Sequence, residues 1–198
     1  MLIVRELSLG PLRFAELTRD VGGAPTDVLT KRLRDLEAQG VVERRELDPP
    51  ASAVAYELTE LGRGLERPML ELSRWGLNLQ NVADVAGLAP SSLPNGLRTI
   101  LQPPPDAQLT VGLRSEGRSF HLQIEAGWIE ASRGEAARAD VSLSGTPFGV
   151  IAAIAGVGAE AEVEIDGDRA ALEALREMVV LPERLREEAL ATLAGAAA

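Results

Sequence analysis

The chain of 198 residues has no cysteine, one histidine and few aromatics: two tryptophans, one tyrosine and three phenylalanines. The missing thiols exclude disulfides, thiolate nucleophiles, cysteine metal ligands and thiol-based redox sensing within these residues. His121 has no second histidine with which to form a metal site or a proton relay, and it lies on the polar side of an alternating segment, so it reads as a surface residue. No apolar run approaches the roughly 20 residues that cross a bilayer. No charged, apolar, small-residue leader opens the chain, so a cytoplasmic location without a membrane partner is expected. Excess basic charge is lacking as well. The net charge is −10 and the isoelectric point about 4.7, which argues against tight non-specific binding to nucleic acid, since such binding comes from phosphate neutralisation.

The acidity is unevenly spread. Residues 1–80 hold 11 Lys and Arg against 13 Asp and Glu, whereas residues 81–198 hold 9 against 17. A small basic face in the first half can therefore still serve a specific contact. Catalytic groupings are missing throughout: no Ser/His/Asp set, no phosphate-cradling glycine loop and no isolated carboxylate pair in an apolar setting. Asp166-Gly167-Asp168 is like a fragment of a calcium loop, but no further ligands follow, so it reads as a turn and a helix cap. No enzyme activity, cofactor or metal is expected.

What is present is an ordinary apolar content, 45% hydrophobic residues with mean hydropathy +0.03, in a chain long enough for two modest domains. Phe14, Leu17 and Val21 at helical spacing predict a short amphipathic helix ended by Gly22 and Gly23. Pro25 suits the start of the next helix. There Val28, Leu29, Leu33 and Leu36 form an apolar stripe, with Thr26, Asp27, Thr30, Lys31 and Arg34 on the other side, and Gly40 stops it. Val41 to Glu46 and Val54 to Leu58 then predict a hairpin across Asp48, Pro49, Pro50, Ala51 and Ser52. Leu65, Met69, Leu72 and Trp75 continue at helical spacing, with Pro68 placed to kink that helix.

Helix, turn, helix, hairpin, helix is the order of a winged helix, a unit that sets one helix in a DNA groove. The run Gly10-Pro11-Leu12-Arg13-Phe14, then Leu29-Thr30, Leu33, Leu36-Glu37, Gly40, Arg44, Tyr56-Glu57-Leu58-Thr59, Gly62 and Trp75-Gly76 resembles the HxlR family of bacterial winged-helix transcription factors. The resemblance implies a homodimer on a near-palindromic operator of double-stranded DNA. It aligns Leu2 to Leu7 with the end of that family's first helix, so that the preceding segment and its cysteine have no counterpart. Pro25 stands where the family favours a capping serine and Asp27 where it favours a basic residue.

After Trp75-Gly76 the helical pattern fades through Asn78, Asn81 and Gly87 into breaker clusters at Pro90 to Gly96 and at Pro103-Pro104-Pro105, with a short helix around Leu97 to Leu101 between them. Alternation then predicts strands at Leu109 to Leu113, Phe120 to Ile124, Trp128-Ile129, Val141 to Leu143 and Val163 to Ile165. An apolar helix is expected from Thr146 to Ala155. Another, capped by Asp168, carries the stripe Leu172, Leu175, Met178 and Val179, and a last one runs from Arg184 to Leu193. With Gly127-Trp128-Ile129, Ala139-Asp140-Val141 and Ile165-Asp166-Gly167-Asp168, residues 109–181 are similar to the sterol carrier protein fold, which implies an apolar tunnel for a fatty-acyl or sterol-like molecule. The pattern by itself implies a packed α+β domain.

The expected fold class is α+β: a winged helix-turn-helix domain with its dimer helix at 1–80, a linker at 81–107 and a sterol-carrier-like sheet domain at 108–198. The expected function is transcriptional regulation under control of an apolar ligand. The alternative is a lipid-carrier module whose winged helix serves protein-protein contact. Thr26, Thr30, Lys31 and Arg34 are expected at the major groove, with Arg44 and Arg45 near the wing and the DNA backbone. Phe120, Trp128, Phe148, Ile151 and Ile154 are the candidates to line a tunnel, with ordinary core the favoured reading of Phe148, Ile151 and Ile154.

Overall fold

The computed structural model describes residues 1–22, 25–46, 53–82, 88–158 and 162–196, with side chains to residue 192. Gly23, Gly87 and the hairpin tip at 48–52 lie outside the described residues. Contacts divide the chain into two compact units, Met1–Leu70 and Glu71–Ala198.

The first unit contains α1 (Leu2–Leu7), β1 (Leu12–Arg13), α2 (Phe14–Val21), α3 (Thr26–Ala38), β2 (Val42–Glu46), β3 (Val54–Leu58) and α4 (Glu60–Arg63). α5 (Glu66–Gly76) begins in it. The three strands form an antiparallel sheet in the order β1-β3-β2. Its core joins Ile3, Val4 and Leu7 of α1, Leu17 and Val21 of α2, Leu29 and Leu33 of α3, Val42 and Leu58. Glu16 starts α2 by accepting the Arg13 N–H at 2.8 Å, satisfying a donor that the helix itself leaves over. Thr59 does more. Its hydroxyl accepts the Gly62 N–H at 3.1 Å to cap α4 and donates to the Gly40 carbonyl at 2.5 Å, tying the end of the hairpin to the turn after α3. Gly62 is required by close approach, because a Cβ there would lie 2.1 Å from the Val41 carbonyl oxygen.

Two expectations need correction here. Val28 does not belong to the buried stripe: it is 46% exposed while Leu29 and Leu33 are 1% exposed. At about 100° per residue, Leu29, Leu33 and Leu36 share one side of α3 and Val28 falls on another. Pro68 does not interrupt α5. It is the third helical residue, where backbone N–H groups have no partner within the helix, so its missing donor is not felt.

The second unit contains α6 (Ser92–Ile100), β4 (Gln108–Ser115), β5 (Arg118–Glu125), β6 (Trp128–Arg133), β7 (Val141–Ser144), α7 (Pro147–Ala155), β8 (Glu164–Gly167), α8 (Arg169–Glu177) and α9 (Glu183–Ala196). Its five-stranded sheet has the order β6-β5-β4-β7-β8, with β4 and β7 parallel and the other pairs antiparallel. Burial alternates along the strands. Val111, Leu113, Phe120, Leu122, Ile124, Ile129, Val141 and Leu143 are buried, so one face of the sheet is covered. α6 packs on β5 and β6, α8 on β7, and α7 touches both helices.

The landmarks of this half are turns with a physical cause. Asp140 accepts the Thr110 N–H on Oδ2 at 2.7 Å, while its carbonyl receives the Asp168 N–H at 2.8 Å. Gly167, with φ +111°, lets β8 leave the sheet where a Cβ would meet the Asp140 carbonyl oxygen at 2.5 Å. Asp168 then caps α8 by accepting the Ala170 N–H at 2.8 Å, and Thr146 caps α7 through the Gly149 N–H at 3.1 Å. The fifth strand lies slightly later than its apolar residues indicate: Val163 is buried just before it and Ile165 within it is 37% exposed, as befits an edge strand.

Candidate nucleic-acid interface

α3 presents two chemically different sides. Leu29 and Leu33 fix it on the core, and Leu36 packs beside them. Thr26, Asp27, Val28, Lys31, Arg32, Arg34 and Asp35 are exposed. Thr30 is half-buried on the flank, and its hydroxyl donates to the Thr26 carbonyl at 2.7 Å, leaving its methyl and an oxygen lone pair for outside contact. Thus α3 brings Thr26, Lys31 and Arg34 onto its exposed surface and holds Thr30 at the margin. Asp27 lies in the first turn, where a carboxylate favours the helix but opposes nearby phosphates.

The hairpin treats its two arginines differently. Arg44 pairs across from Tyr56, lies 5.5 Å from the ring centroid, and approaches Glu37 of α3 at 3.3 Å. Arg45 is paired across from Ala55 and reaches Glu57 at 3.3 Å. Successive residues of a strand face opposite ways, so the two guanidinium groups leave β2 on opposite faces. Both guanidinium groups are about half exposed, and ion pairs so open to water are worth only about 0–1 kcal/mol. A phosphate can displace either acid.

The apolar candidates of the second unit are dispersed in its packing. Phe120 on β5 is 2% exposed and Ile154 on α7 is fully buried. Phe148 and Ile151 are half-buried on α7. Phe148 packs with Val82, Val157, Leu185 and Ala189, whereas Ile151 meets α6 at Gly96, where a Cβ would lie 3.3 Å from its Cδ1. Trp128 is half-buried on β6 with the guanidinium of Arg98 5.3 Å from its ring centroid. The sequence reading overlooked Arg98, which is buried on α6 among Leu93, Leu97 and Ile100. A charge inside an otherwise apolar helical stripe was the available signal. His121 is half-buried, with Nδ1 3.2 Å from the Gly134 carbonyl. Among the described residues no group of acids and histidine is placed to hold a metal ion, and no helix is long and apolar enough to cross a membrane.

Residues 1–84 match the model of the family described as HxlR-like helix-turn-helix. The uncharacterized HTH-type transcriptional regulator YvaP of Bacillus subtilis is 35% identical over 74 residues, 37% of this chain and 68% of the relative. Other curated transcriptional regulators are 37–40% identical, and the chain spans about three fifths of their length. Among solved structures, the reduced form of the transcriptional regulator YodB from B. subtilis is similar at 36% identity over 38% of this chain and 74% of that one, with a TM-score of 0.35. Sterol Carrier Protein 2 Like 2 from Aedes aegypti is similar at 19% identity over 56% of this chain and 99% of that one, with a TM-score of 0.27.

Proposed function

The chain belongs to the HxlR-like helix-turn-helix family, and from that membership we propose that it is a DNA-binding transcriptional regulator acting as a homodimer. The observation that carries this reading is the division of α3: Leu29 and Leu33 anchor it to the core while Thr26, Lys31 and Arg34 stand in solvent. A helix held in that way can enter a major groove with its base-reading residues foremost. Arg44 and Arg45 supply phosphate contacts on either face of the hairpin, which position the protein without reading sequence.

The dimer forms through α5. Leu72 and Trp75 of α5 are 50% and 61% exposed, and Leu65 in the turn before it 39%, an apolar surface that a second copy can cover. Pairing two copies about a two-fold axis buries it and sets two α3 helices about one DNA turn, or ~34 Å, apart. We propose the division into a domain at 1–80, a linker at 81–107 and a domain at 108–198 on the sequence pattern, with α6 of the middle segment packed on the sheet of the second unit.

In the second unit, we propose an apolar ligand of fatty-acyl or sterol-like type whose binding separates the packed side chains Phe120, Trp128, Phe148, Ile151 and Ile154 and alters operator affinity. Coupling of this kind requires that the ligand prefer one of two arrangements of the protein. Selection of bound duplexes from a random pool tests the DNA reading. A two-fold symmetric sequence should be enriched, and an unenriched pool contradicts it. Oleate or cholesterol added to the selected complex should change its affinity and raise the melting temperature of the protein. If both probes leave both quantities unchanged, the sensing role falls and the DNA role stands.

A further inference from the structure

We propose that Val28 reads a thymine methyl group in the major groove, an inference that rests on the DNA-binding reading above. Val28 is the only large apolar side chain that α3 leaves exposed, at 46%. It does not border the core stripe. On the helix its neighbours are Asp27 before it, Lys31 three residues on and Arg32 four residues on, all exposed. It is the third residue of α3, and the first turn of a groove-docked helix is the part that approaches base edges.

The chemistry of the side chain selects the base. In the major groove only thymine offers a methyl, whereas adenine, cytosine and guanine present amino groups or acceptors that need a hydrogen-bond partner. Valine has none to give, so placed against those edges it strips water without replacing it, and placed against thymine it buries apolar surface on both sides. Valine is also stiff: within a helix its χ1 is held in one strongly preferred rotamer, so little freedom is lost when its methyls are fixed against a base. Lys31, about 60° round the helix, contributes charge beside it, and Arg34 stands about 120° away. Val28 contributes discrimination at a base pair that they do not read.

The test uses the full chain and the duplex it selects from a random pool. Each thymine is replaced in turn by deoxyuridine, which keeps the pairing and lacks only the methyl. Burial of one methyl-sized group corresponds to roughly fourfold in affinity, hence about 15-fold for a symmetric pair of half-sites. The wild type should weaken by about that factor at one symmetric pair of thymines and hardly at the others. Val28→Ala should lose this selectivity while still depending on Arg34, and Val28→Thr, which retains one methyl, should keep part of it. Val28 is exposed, so all variants should give the wild-type circular dichroism spectrum. Equal sensitivity of wild type and Val28→Ala at every thymine, or no sensitive thymine, overturns the assignment. A pool that yields no selected duplex overturns the DNA reading itself and the assignment with it.

Discussion

Arg34 and Lys31 have no ion-pair or hydrogen-bond partner among the described residues, whereas Arg44 and Arg45 lean on Glu37 and Glu57. The first pair is therefore available for bases without prior loss of an internal contact. Arg34→Ala should lower specific affinity by about 1–3 kcal/mol if the guanidinium bridges a guanine edge, measured as the ratio of dissociation constants on selected and scrambled duplexes. Arg45→Ala should weaken both duplexes alike, because a phosphate contact carries no sequence. At the same scale, Gly62→Ala forces a Cβ against the Val41 carbonyl oxygen and should cost about 1–3 kcal/mol of stability, seen as an earlier urea transition of the winged-helix unit. The spacing Thr59 to Gly62 was legible in the sequence as a family-like motif, and its physical content is the hydroxyl that joins α4 to Gly40 together with the absent Cβ. Val28 was misread for a simple reason. Valine is apolar wherever it stands, and composition cannot tell a core position from one that is neutral and exposed, whereas the angular position relative to Leu29 and Leu33 can.

Elements with strong periodicity or caps were legible: α2, α3, α7, α8 and strands β4, β5 and β7 lie where their spacing puts them. What the sequence left open was set by packing between distant segments. β6 extends to Arg133 because it pairs with β5 along its length, although only Trp128 and Ile129 signal it. α6 starts at Ser92, inside a cluster of breakers, because Leu93 and Leu97 are fully buried in the second unit. The sequence pattern of α5 gives its apolar residues, and that surface is the basis of a prediction. Leu72→Glu combined with Trp75→Glu should convert a dimer into a monomer in sedimentation at micromolar concentration and abolish binding to the two-fold duplex. A wild type that sediments only as a monomer contradicts the assignment of α5. The cap of α8 gives a separate expectation for the second unit: Asp168→Ala should cost about 0.5–2 kcal/mol, read in its thermal unfolding.

Across the whole chain the charge is acidic, which on the proposed reading bears on how DNA is held. With a net charge of −10, the proposed reading makes base contacts count for more than phosphate neutralisation. Binding to unselected DNA should therefore be weak at physiological salt, and the salt dependence of specific binding shallow, corresponding to a few phosphate contacts per half-site. The central claim is that two α3 helices, related by a two-fold axis, read one face of a duplex. Hydroxyl-radical footprinting on a selected duplex measures this most directly. Two protected patches centred about 10 base pairs apart on the same face are predicted, both lost together in Arg34→Ala. A single patch, or protection spread evenly along the duplex, would contradict it.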